Sequence, residues 1–289
     1  MKYIRKTSRD ITQDFSRSLL IDRGILTEDE NSDWYFNPTY ENLLDPLGLD
    51  NMEKGAELLL KHLKRGSHIR VYVDCDVDGF TSAALFINYY NKYLKSTFPD
   101  VTISYHIPDG KEHGLRSVMD ELVNNKICDL IILPDSSSND YSEHAELKAM
   151  GYDILVLDHH DADHYSDNAV VINNQLSKDY ENKALSGVGV VYKFINFFNA
   201  YWWNDSSESK EEEAFRDFIY NDFLDLVALG EISDMMNMNT PENRYICDMG
   251  LSNIQNTLFR AIVKKQCYSM FGIYEADWKD SYYTSGDIT

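Results

Sequence analysis

The chain has 289 residues, of which 43% are hydrophobic and 13% aromatic, a composition typical of a folded globular protein and not of a disordered one. No apolar run approaches the roughly 18 residues of a membrane span, and the polar start MKYIRKTSRD does not resemble a signal peptide, so we expect a cytoplasmic protein with no membrane partner. The formal net charge of −21 argues against a broadly basic nucleic-acid surface; it favours a small or metal-bridged phosphate ligand, or a groove that is basic only locally.

The first part of the chain, residues 1–66, is predicted to form helices joined by loops. Ala56, Leu59, Leu60 and Leu63 fall on one helical face, and this helix is predicted to end at Gly66. We therefore expect an N-terminal helical segment ahead of the main domain.

Short β-rich runs alternate with helical patterns from Ile69 to about Asn174. The predicted strands are IRVYVD, VTISYHIP, LIILPD, DILVLDHH and AVVIN. This alternation predicts an α/β fold with a parallel five-stranded sheet and helices on both of its faces. A helical region is expected to follow the sheet.

The first predicted strand ends in DCDVDG, which places Asp74, Asp76 and Asp78 at alternate positions. Three carboxylates this close repel one another unless a cation lies between them, so a hard divalent metal is favoured. The same letters begin an EF-hand calcium loop, but its twelfth position, which must be glutamate, is Leu85 here. A solvated acidic turn is the remaining alternative.

Two further predicted strands end in residues that bind metals. LIILPD ends in Asp135, and DILVLDHH ends in Asp158, His159 and His160. The carboxyl ends of parallel strands meet at one edge of a sheet, where ligands bind in open α/β folds. Carboxylate oxygens together with imidazole nitrogens suit manganese, magnesium or zinc, so the sequence predicts a site of metal catalysis at this edge.

Four cysteines are present in the chain, namely Cys75, Cys128, Cys247 and Cys267. They are widely spaced and form no CxxC pair, which argues against a zinc site and against a disulfide framework. We expect reduced thiols that serve packing.

The second half of the chain is predicted to be helical. Gly187 and Gly189 open an apolar helix whose first turn either offers backbone N–H groups to a phosphate or packs closely on the sheet. A helix through 215–226 ends in LVALGEISD, so that Asp234 follows it as a further metal ligand. The last predicted helix runs from Pro241 to about Leu258.

In this order, DCDVDG, LPD, LDHH and LGEISD resemble the four motifs of the DHH phosphoesterase superfamily. The flanks LLIDRGI, FNPTYENLLDPLGLDNMEKG, LSGVGVVYKF and TPENRYICDMGL are similar to those of the RecJ family of bacterial single-strand DNA exonucleases. The resemblance covers nearly the whole chain. It implies 5′→3′ degradation of single-stranded DNA to 5′-mononucleotides with two manganese or magnesium ions, a role in DNA repair and recombination, and a bacterial or phage source.

The resemblance also implies a set of site residues. The metal ligands would be Asp74, Asp76, Asp78, Asp135, His159 and Asp234. Asp135 would bridge the two ions, His160 would contact the scissile phosphate, and Asp158 would orient the neighbouring histidine. The candidates for substrate binding are His160, Lys111, His113, Gly187 and Gly189. Lys111 lies near the place of a family arginine, as a point charge without the bidentate fork, and His113 lies where an aromatic residue is typical.

By the same resemblance, residues 1–66 form the helical segment, residues 67–260 the DHH catalytic domain, and residues 261–289 the start of a connector towards a DHH-associated domain that we expect to be missing from this chain. Two alternatives stay open. One is a DHH phosphodiesterase acting on short oligonucleotides or cyclic dinucleotides, against which the N-terminal flank argues. The other is an inactive DHH scaffold in a replication or repair complex, against which the intact motif residues argue.

Overall fold

A parallel five-stranded sheet forms the centre of the protein, with the strand order β2-β1-β3-β4-β5. The computed structural model describes residues 15–108, 110, 113–205 and 222–271. The strands are β1 (His68–Tyr72), β2 (Thr102–His106), β3 (Leu130–Pro134), β4 (Asp153–Asp158) and β5 (Val170–Asn173). All four strand pairs are parallel. The predicted α/β sheet is therefore confirmed, with each strand within two residues of its predicted start.

Helices pack around the sheet, and helices are also the first and the last elements of the described chain. They are α1 (Phe15–Asp22), α2 (Asp33–Phe36), α3 (Met52–Arg65), α4 (Val77–Tyr89), α5 (Met119–Asn124), α6 (Tyr141–Ala149), α7 (Gly187–Asp205), α8 (Leu224–Ser233), α9 (Pro241–Ser252) and α10 (Thr257–Phe271). A π-helical turn, Tyr90–Leu94, continues α4, and short 3₁₀ turns lie at Tyr40–Asn42, Pro46–Gly48 and Leu115–Ser117. Within the ranges described, no helix is long and apolar enough to cross a membrane.

Successive side chains of the central strands point into two separate cores, as the pleat of a strand requires. Ile132 and Leu155 are buried in the core under α3, α4, α7 and α8. Ile131 and Val156 are buried in the core under α5 and α6. Helices therefore cover both faces, as predicted, and each fully buried aliphatic side chain contributes about 1.5–3 kcal/mol.

Helix α3 joins the predicted N-terminal segment to the main core. All four residues of its predicted apolar face are buried. At Gly55 the helix approaches so closely that an added Cβ would lie 2.8 Å from Ile172 on β5 and 3.0 Å from Phe194 on α7. The helix ends at Gly66, whose φ of 65° is in the left-handed region that favours glycine. The last helix of the N-terminal segment is therefore part of the layer that covers the sheet.

The C-terminal helices differ from their prediction. Most of the helix predicted over 215–226 lies outside the described residues, and α8 begins at Leu224. The single helix predicted to reach Leu258 is wrong, because α9 ends at Ser252 and α10 begins at Thr257. A residue distant in sequence stabilises the break between α9 and α10. Oδ2 of Asp225 accepts the backbone N–H groups of Gln255 and Asn256, the two residues just before α10. Helix α10 also runs across the domain boundary predicted at residue 260.

A buried ion pair between Lys193 on α7 and Glu242 on α9 ties these helices together. Lys193 also donates to the carbonyl oxygen of Leu44 at 2.7 Å. Glu242 accepts hydrogen bonds from the hydroxyl of Tyr180 at 2.7 Å and the amide of Asn182 at 3.0 Å. The ion pair thus links the loop that contains Leu44 to helices α7 and α9, and both of its side chains are shielded from water.

Candidate metal centre

The predicted site residues meet at the carboxyl edge of the sheet. Strands β1, β3 and β4 are neighbours in the sheet, so the polar segments that follow them lie side by side. The start of α7 and the end of α8 also lie at this edge, because Gly187 donates its N–H to Asp78 and Asp234, the residue after α8, lies beside His159.

Asp135 lies at the centre of the edge, in the first position after β3. Its φ of 64° is left-handed, a conformation that aspartate tolerates better than most residues, and its N–H donates to the carbonyl oxygen of Leu157 at 2.8 Å. The residue is 1% exposed, and within the described part of the chain its Oδ1 accepts no hydrogen bond. Burial, and then the neighbouring carboxylate of Asp78, raise the pKa of Asp135 well above its ordinary value. A buried carboxylate oxygen in this state is suited to binding a cation.

His159 is surrounded by carboxylates. Its Nε2 lies 3.2 Å from Asp135 Oδ1, 3.5 Å from Asp234 Oδ2 and 3.8 Å from Asp78 Oδ2. The ligand atoms of Asp78, His159 and Asp234 all lie within 4.8 Å of one another. Oxygen and nitrogen donors that face a common point in this way fit a divalent transition metal.

The N-terminus of α7 holds the carboxylate of Asp78. Gly187 donates its N–H to Oδ2 at 2.7 Å, and Val188 donates its N–H to Oδ1 at 3.0 Å. Burial raises the pKa of Asp78, whereas these two N–H groups and the helix dipole favour the ionised form. Glycine is needed at 187 because an added Cβ would lie 2.3 Å from Asp135 Oδ1.

The predicted phosphate contact of Gly187 and Gly189 is not supported by this geometry. The N–H of Gly187 is donated to Asp78, and the N–H of Gly189 is directed to Ser186 Oγ at 3.4 Å. Both glycines are buried. Close packing, the alternative interpretation of these glycines, fits the structure.

A second group of ligand atoms is formed by Asp74, Asp76 and Asp135, which also lie within 4.8 Å of one another. Asp74 is 3% exposed and is hydrogen-bonded to Nδ1 of His113 at 2.8 Å. Burial raises the pKa of Asp74, and the contact with His113 opposes that effect. Asp76 is exposed and caps α4, since its Oδ1 accepts the N–H of Gly79 at 2.9 Å.

Asp158 lies behind the two histidines and orients His160. Its carboxylate is fully buried and accepts the backbone N–H groups of His159 at 2.8 Å and Ser138 at 3.0 Å. Nδ1 of His160 lies 2.8 Å from Asp158 Oδ1, while the His160 side chain is 56% exposed. Burial alone would raise the pKa of Asp158, but the hydrogen bond to His160 and the charge of that ring lower it to about 2. The same hydrogen bond raises the pKa of His160 to about 9, so the ring is an imidazolium at neutral pH.

Two buried residues that hold the site in place, Glu231 and Asn173, were not predicted from the sequence. Glu231 is fully buried, and its Oε1 accepts both the N–H and the hydroxyl of Ser186, the residue before α7, at 3.0 and 3.1 Å. Burial raises its pKa well above the ordinary value. Asn173, the last residue of β5, donates to the carbonyl oxygen of His160 at 2.9 Å and to Ser138 Oγ at 2.8 Å. The only signal in the sequence was polar residues within or at the end of apolar segments.

Two substrate-binding candidates remain, Lys111 and His113. Lys111 is outside the described residues, so its predicted role stays a prediction. His113 is described, and it lies against Asp74 at the rim of the site. A cavity of about 390 Å³ opens beside it, lined among others by Asp135, Ser137 and His160. Two predicted substrate-binding residues, His113 and His160, thus line the same open pocket next to the metal-ligand groups.

Together, the donor atoms fit divalent metal ions. Six residues contribute them, Asp74, Asp76, Asp78, Asp135, His159 and Asp234. The set has five carboxylates and one imidazole, a chemistry that suits Mn²⁺ or Mg²⁺. Asp135 belongs to the second group, and its unbonded Oδ1 lies 3.2 Å from Nε2 of His159 in the first group. The structure therefore brings the six predicted ligands together, and their binding of metal stays a prediction.

Comparison with known families gives one match over more than half of the chain. The sequence model of the DHH family, N-terminal domain, matches residues 68–231. This range includes β1 to β5, the whole of α7 and the first eight residues of α8. Asp234 lies just beyond it.

Curated relatives carry exonuclease names. Over 272 residues, 94% of this chain, the sequence is 35% identical to the SPbeta prophage-derived single-strand DNA-specific exonuclease YorK of Bacillus subtilis strain 168, of which 43% is covered. It is 26% identical over 244 residues to the single-stranded-DNA-specific exonuclease RecJ of the same organism, covering 83% of this chain and 28% of that protein. The chain thus spans less than half the length of either relative.

Solved structures share the fold. A crystal structure of exonuclease RecJ bound to manganese matches with a TM-score of 0.62 at 22% identity, covering 78% of this chain and 55% of that one. RecJ of Thermus thermophilus in complex with Mn²⁺ matches with a TM-score of 0.59 at 22% identity, covering 75% of this chain and 29% of that one.

Proposed function

This chain belongs to the DHH family, and we propose that it is a metal-dependent phosphodiesterase that degrades single-stranded DNA from the 5′ end to 5′-mononucleotides. The observation that carries the proposal is the convergence of Asp78, Asp135, His159 and Asp234 around one point at the carboxyl edge of the sheet. Curated relatives with single-strand DNA exonuclease names support the substrate class.

Two ions are proposed, held by the two groups of ligand atoms. Asp78, His159 and Asp234 form one group, and Asp74, Asp76 and Asp135 form the other. Asp135 also faces His159, so it is the residue suited to contact both ions. When bound, such a pair supplies a hydroxide at neutral pH and neutralises charge on the phosphate oxygens, so no protein nucleophile is required.

His160 is proposed to bind the scissile phosphate. Its Nδ1–H is directed to Asp158, so the second proton of the imidazolium, on Nε2, is free to donate to a phosphate oxygen. The pKa of about 9 keeps this proton in place at neutral pH. Asp158, with a pKa of about 2, stays ionised and orients the ring. A charge-assisted donor of this kind is roughly twice as strong as a neutral one.

Local positive charge explains how a chain of net charge −21 binds a polyanion. Phosphate contacts in this account come from the metal ions and from the His160 imidazolium, not from a broad basic surface. We therefore expect binding of single-stranded DNA to depend steeply on Mn²⁺ or Mg²⁺ and to be lost in EDTA.

Nuclease assays on 5′-labelled single-stranded DNA and on a dinucleotide test the proposal, with Mn²⁺ and with EDTA. We expect Mn²⁺-dependent release of mononucleotides from the 5′ end by the wild type and loss of that release in Asp135→Asn. The exposed Asp163→Asn serves as the matched control and should keep the activity.

Other outcomes would contradict parts of the proposal. Cleavage of the dinucleotide alone would favour the short-oligonucleotide phosphodiesterase. Release from the 3′ end would contradict the polarity. Absence of cleavage in a chain that still binds Mn²⁺ would contradict the proposal that this chain acts as the nuclease by itself.

A further inference from the structure

A different set of metal-binding side chains lies at the rim of the site, where Asp74, Cys75 and His113 meet. The Cys75 Sγ is 3.6 Å from Nε2 and 3.9 Å from Nδ1 of His113. Nδ1 of His113 is 2.8 Å from Asp74 Oδ2. One ligand atom from each of the three residues lies within 4.8 Å of the other two. A thiol, an imidazole and a carboxylate thus face one another.

The backbone explains why these three side chains meet. Neighbouring residues of a strand point to opposite faces of the sheet, but Asp74 and Cys75 follow the end of β1 at Tyr72, in an irregular segment. Both side chains can therefore face the same way. His113 lies on the loop after β2, and β2 pairs with β1 at the edge of the sheet. The arrangement is a product of the fold and not of sequence spacing.

The chemistry of this donor set differs from that of the six residues proposed to hold the ion pair. Those residues offer almost only carboxylate oxygens, which hard ions prefer. A thiolate and an imidazole select softer ions such as Zn²⁺, and three protein ligands leave a fourth position open to water. We propose that Asp74, Cys75 and His113 form a separate site for a thiophilic divalent cation, with Zn²⁺ or Cd²⁺ as occupant.

Sharing of Asp74 couples this site to the proposed ion pair. The same carboxylate also belongs to the group formed with Asp76 and Asp135. A cation held by Cys75 and His113 competes for Asp74, so Zn²⁺ weakens binding of Mn²⁺, and Mn²⁺ weakens binding of Zn²⁺ by the same factor. The inference goes beyond the proposed function, because it holds whether or not the chain cleaves DNA.

Titration of the full chain with Cd²⁺ in excess Mg²⁺ tests the proposal without any nuclease assay. Mg²⁺ limits binding of Cd²⁺ at the oxygen-rich groups; through the shared Asp74 it also lowers the apparent Cd²⁺ affinity of the proposed site, but not the number of Cd²⁺ bound there. Cd²⁺ bound to a thiolate produces a charge-transfer absorption in the ultraviolet. We expect this absorption to saturate at one Cd²⁺ per chain. Because loss of even an outer-shell partner costs about 10–100-fold in metal affinity, Cys75→Ser should abolish the band and His113→Phe should weaken Cd²⁺ binding by at least about tenfold.

Cys128→Ala is the matched control, because the Cys128 thiol is buried in the core under α5 and α6, forms no disulfide in the described structure and does not belong to the proposed ligand group. It should leave the band unchanged. The proposal is overturned if the wild type gives no band, if the band survives in Cys75→Ser, or if His113→Phe binds Cd²⁺ as tightly as the wild type. Cys75 is only half-buried, so circular dichroism is expected to report a folded Cys75→Ser protein.

Discussion

Replacing Gly187 with alanine should displace the carboxylate at the centre of the proposed metal site. An added Cβ at this position would lie 2.3 Å from Oδ1 of Asp135 and 2.6 Å from its Cβ and Cγ atoms. Ordinary van der Waals contact begins at 3.4 Å, so either the carboxylate or the start of α7 must move by about 1 Å. The same helix N-terminus holds Asp78, so both carboxylates are affected.

The expected magnitudes follow from that shift. Overpacking in a well-packed interior costs about 1–3 kcal/mol of stability. Disturbing the support of a metal ligand lowers metal affinity about 10–100-fold. A displacement of about 1 Å near the reacting groups lowers the rate on the order of 100-fold.

Gly55→Ala separates the loss of stability from the loss of metal. The three atoms nearest to its Cβ would all belong to core residues, with Ile172 at 2.8 Å. We expect urea unfolding in EDTA to show a similar destabilisation for both variants. Calorimetry with Mn²⁺ should show weakened binding for Gly187→Ala alone. A folded Gly187→Ala protein that binds Mn²⁺ like the wild type would refute the geometry proposed for Asp135.

Three further predictions concern the residues that support the site. Asp158→Asn removes the negative charge that faces His160. The pKa of His160, measured by NMR titration of metal-free protein, should therefore fall from about 9 towards 6.5. The exposed Asp163→Asn should leave it unchanged, and a pKa that stays near 9 in Asp158→Asn would contradict the pairing. Because the folded state raises this pKa, the stabilisation from the pair is present below pH 6.5 and is lost as the pH rises through about 9. Burial raises the pKa of Glu231 well above 4.5, so Glu231→Gln should be increasingly more stable than the wild type as the pH rises above 4.5, and a difference in Tm that does not change with pH would argue against this. Lys193→Met leaves the buried carboxylate of Glu242 without a counter-ion, so the free energy of unfolding, measured in urea, should fall by about 3–5 kcal/mol. A loss below about 1 kcal/mol would mean that the pair adds little to stability.

The sheet and its reactive edge could be predicted from the sequence because their signals are local. Each strand is a short β-rich run, and each of the three central ones is followed closely by polar residues of the types that bind metals. Parallel pairing then brings the ends of β1, β3 and β4 together, whatever the details of packing. Asp135 and His159 are therefore in contact, as the pattern predicted.

The supports of the site could not be predicted, because they depend on contacts between distant parts of the chain. The N–H groups at the start of α7 bind Asp78, more than 100 residues earlier, instead of facing a ligand. The break between α9 and α10 is stabilised by Asp225, about 30 residues before it.

The cysteines illustrate the same limit. The absence of a CxxC pair predicts thiols that serve packing, and Cys128 and Cys247 are buried thiols. Cys267 lies among side chains that the structure does not describe. Cys75 instead faces His113, which is far away in sequence, so spacing alone gave no indication of a metal site.

Crystals of the chain grown with Mn²⁺ and measured at the manganese absorption edge would test the central claim most directly. The account predicts two anomalous peaks about 3.5–4 Å apart. One should lie among Asp78, His159 and Asp234, the other among Asp74, Asp76 and Asp135, with Asp135 in contact with both. A single peak, or peaks away from Asp135, would contradict the proposed two-ion site.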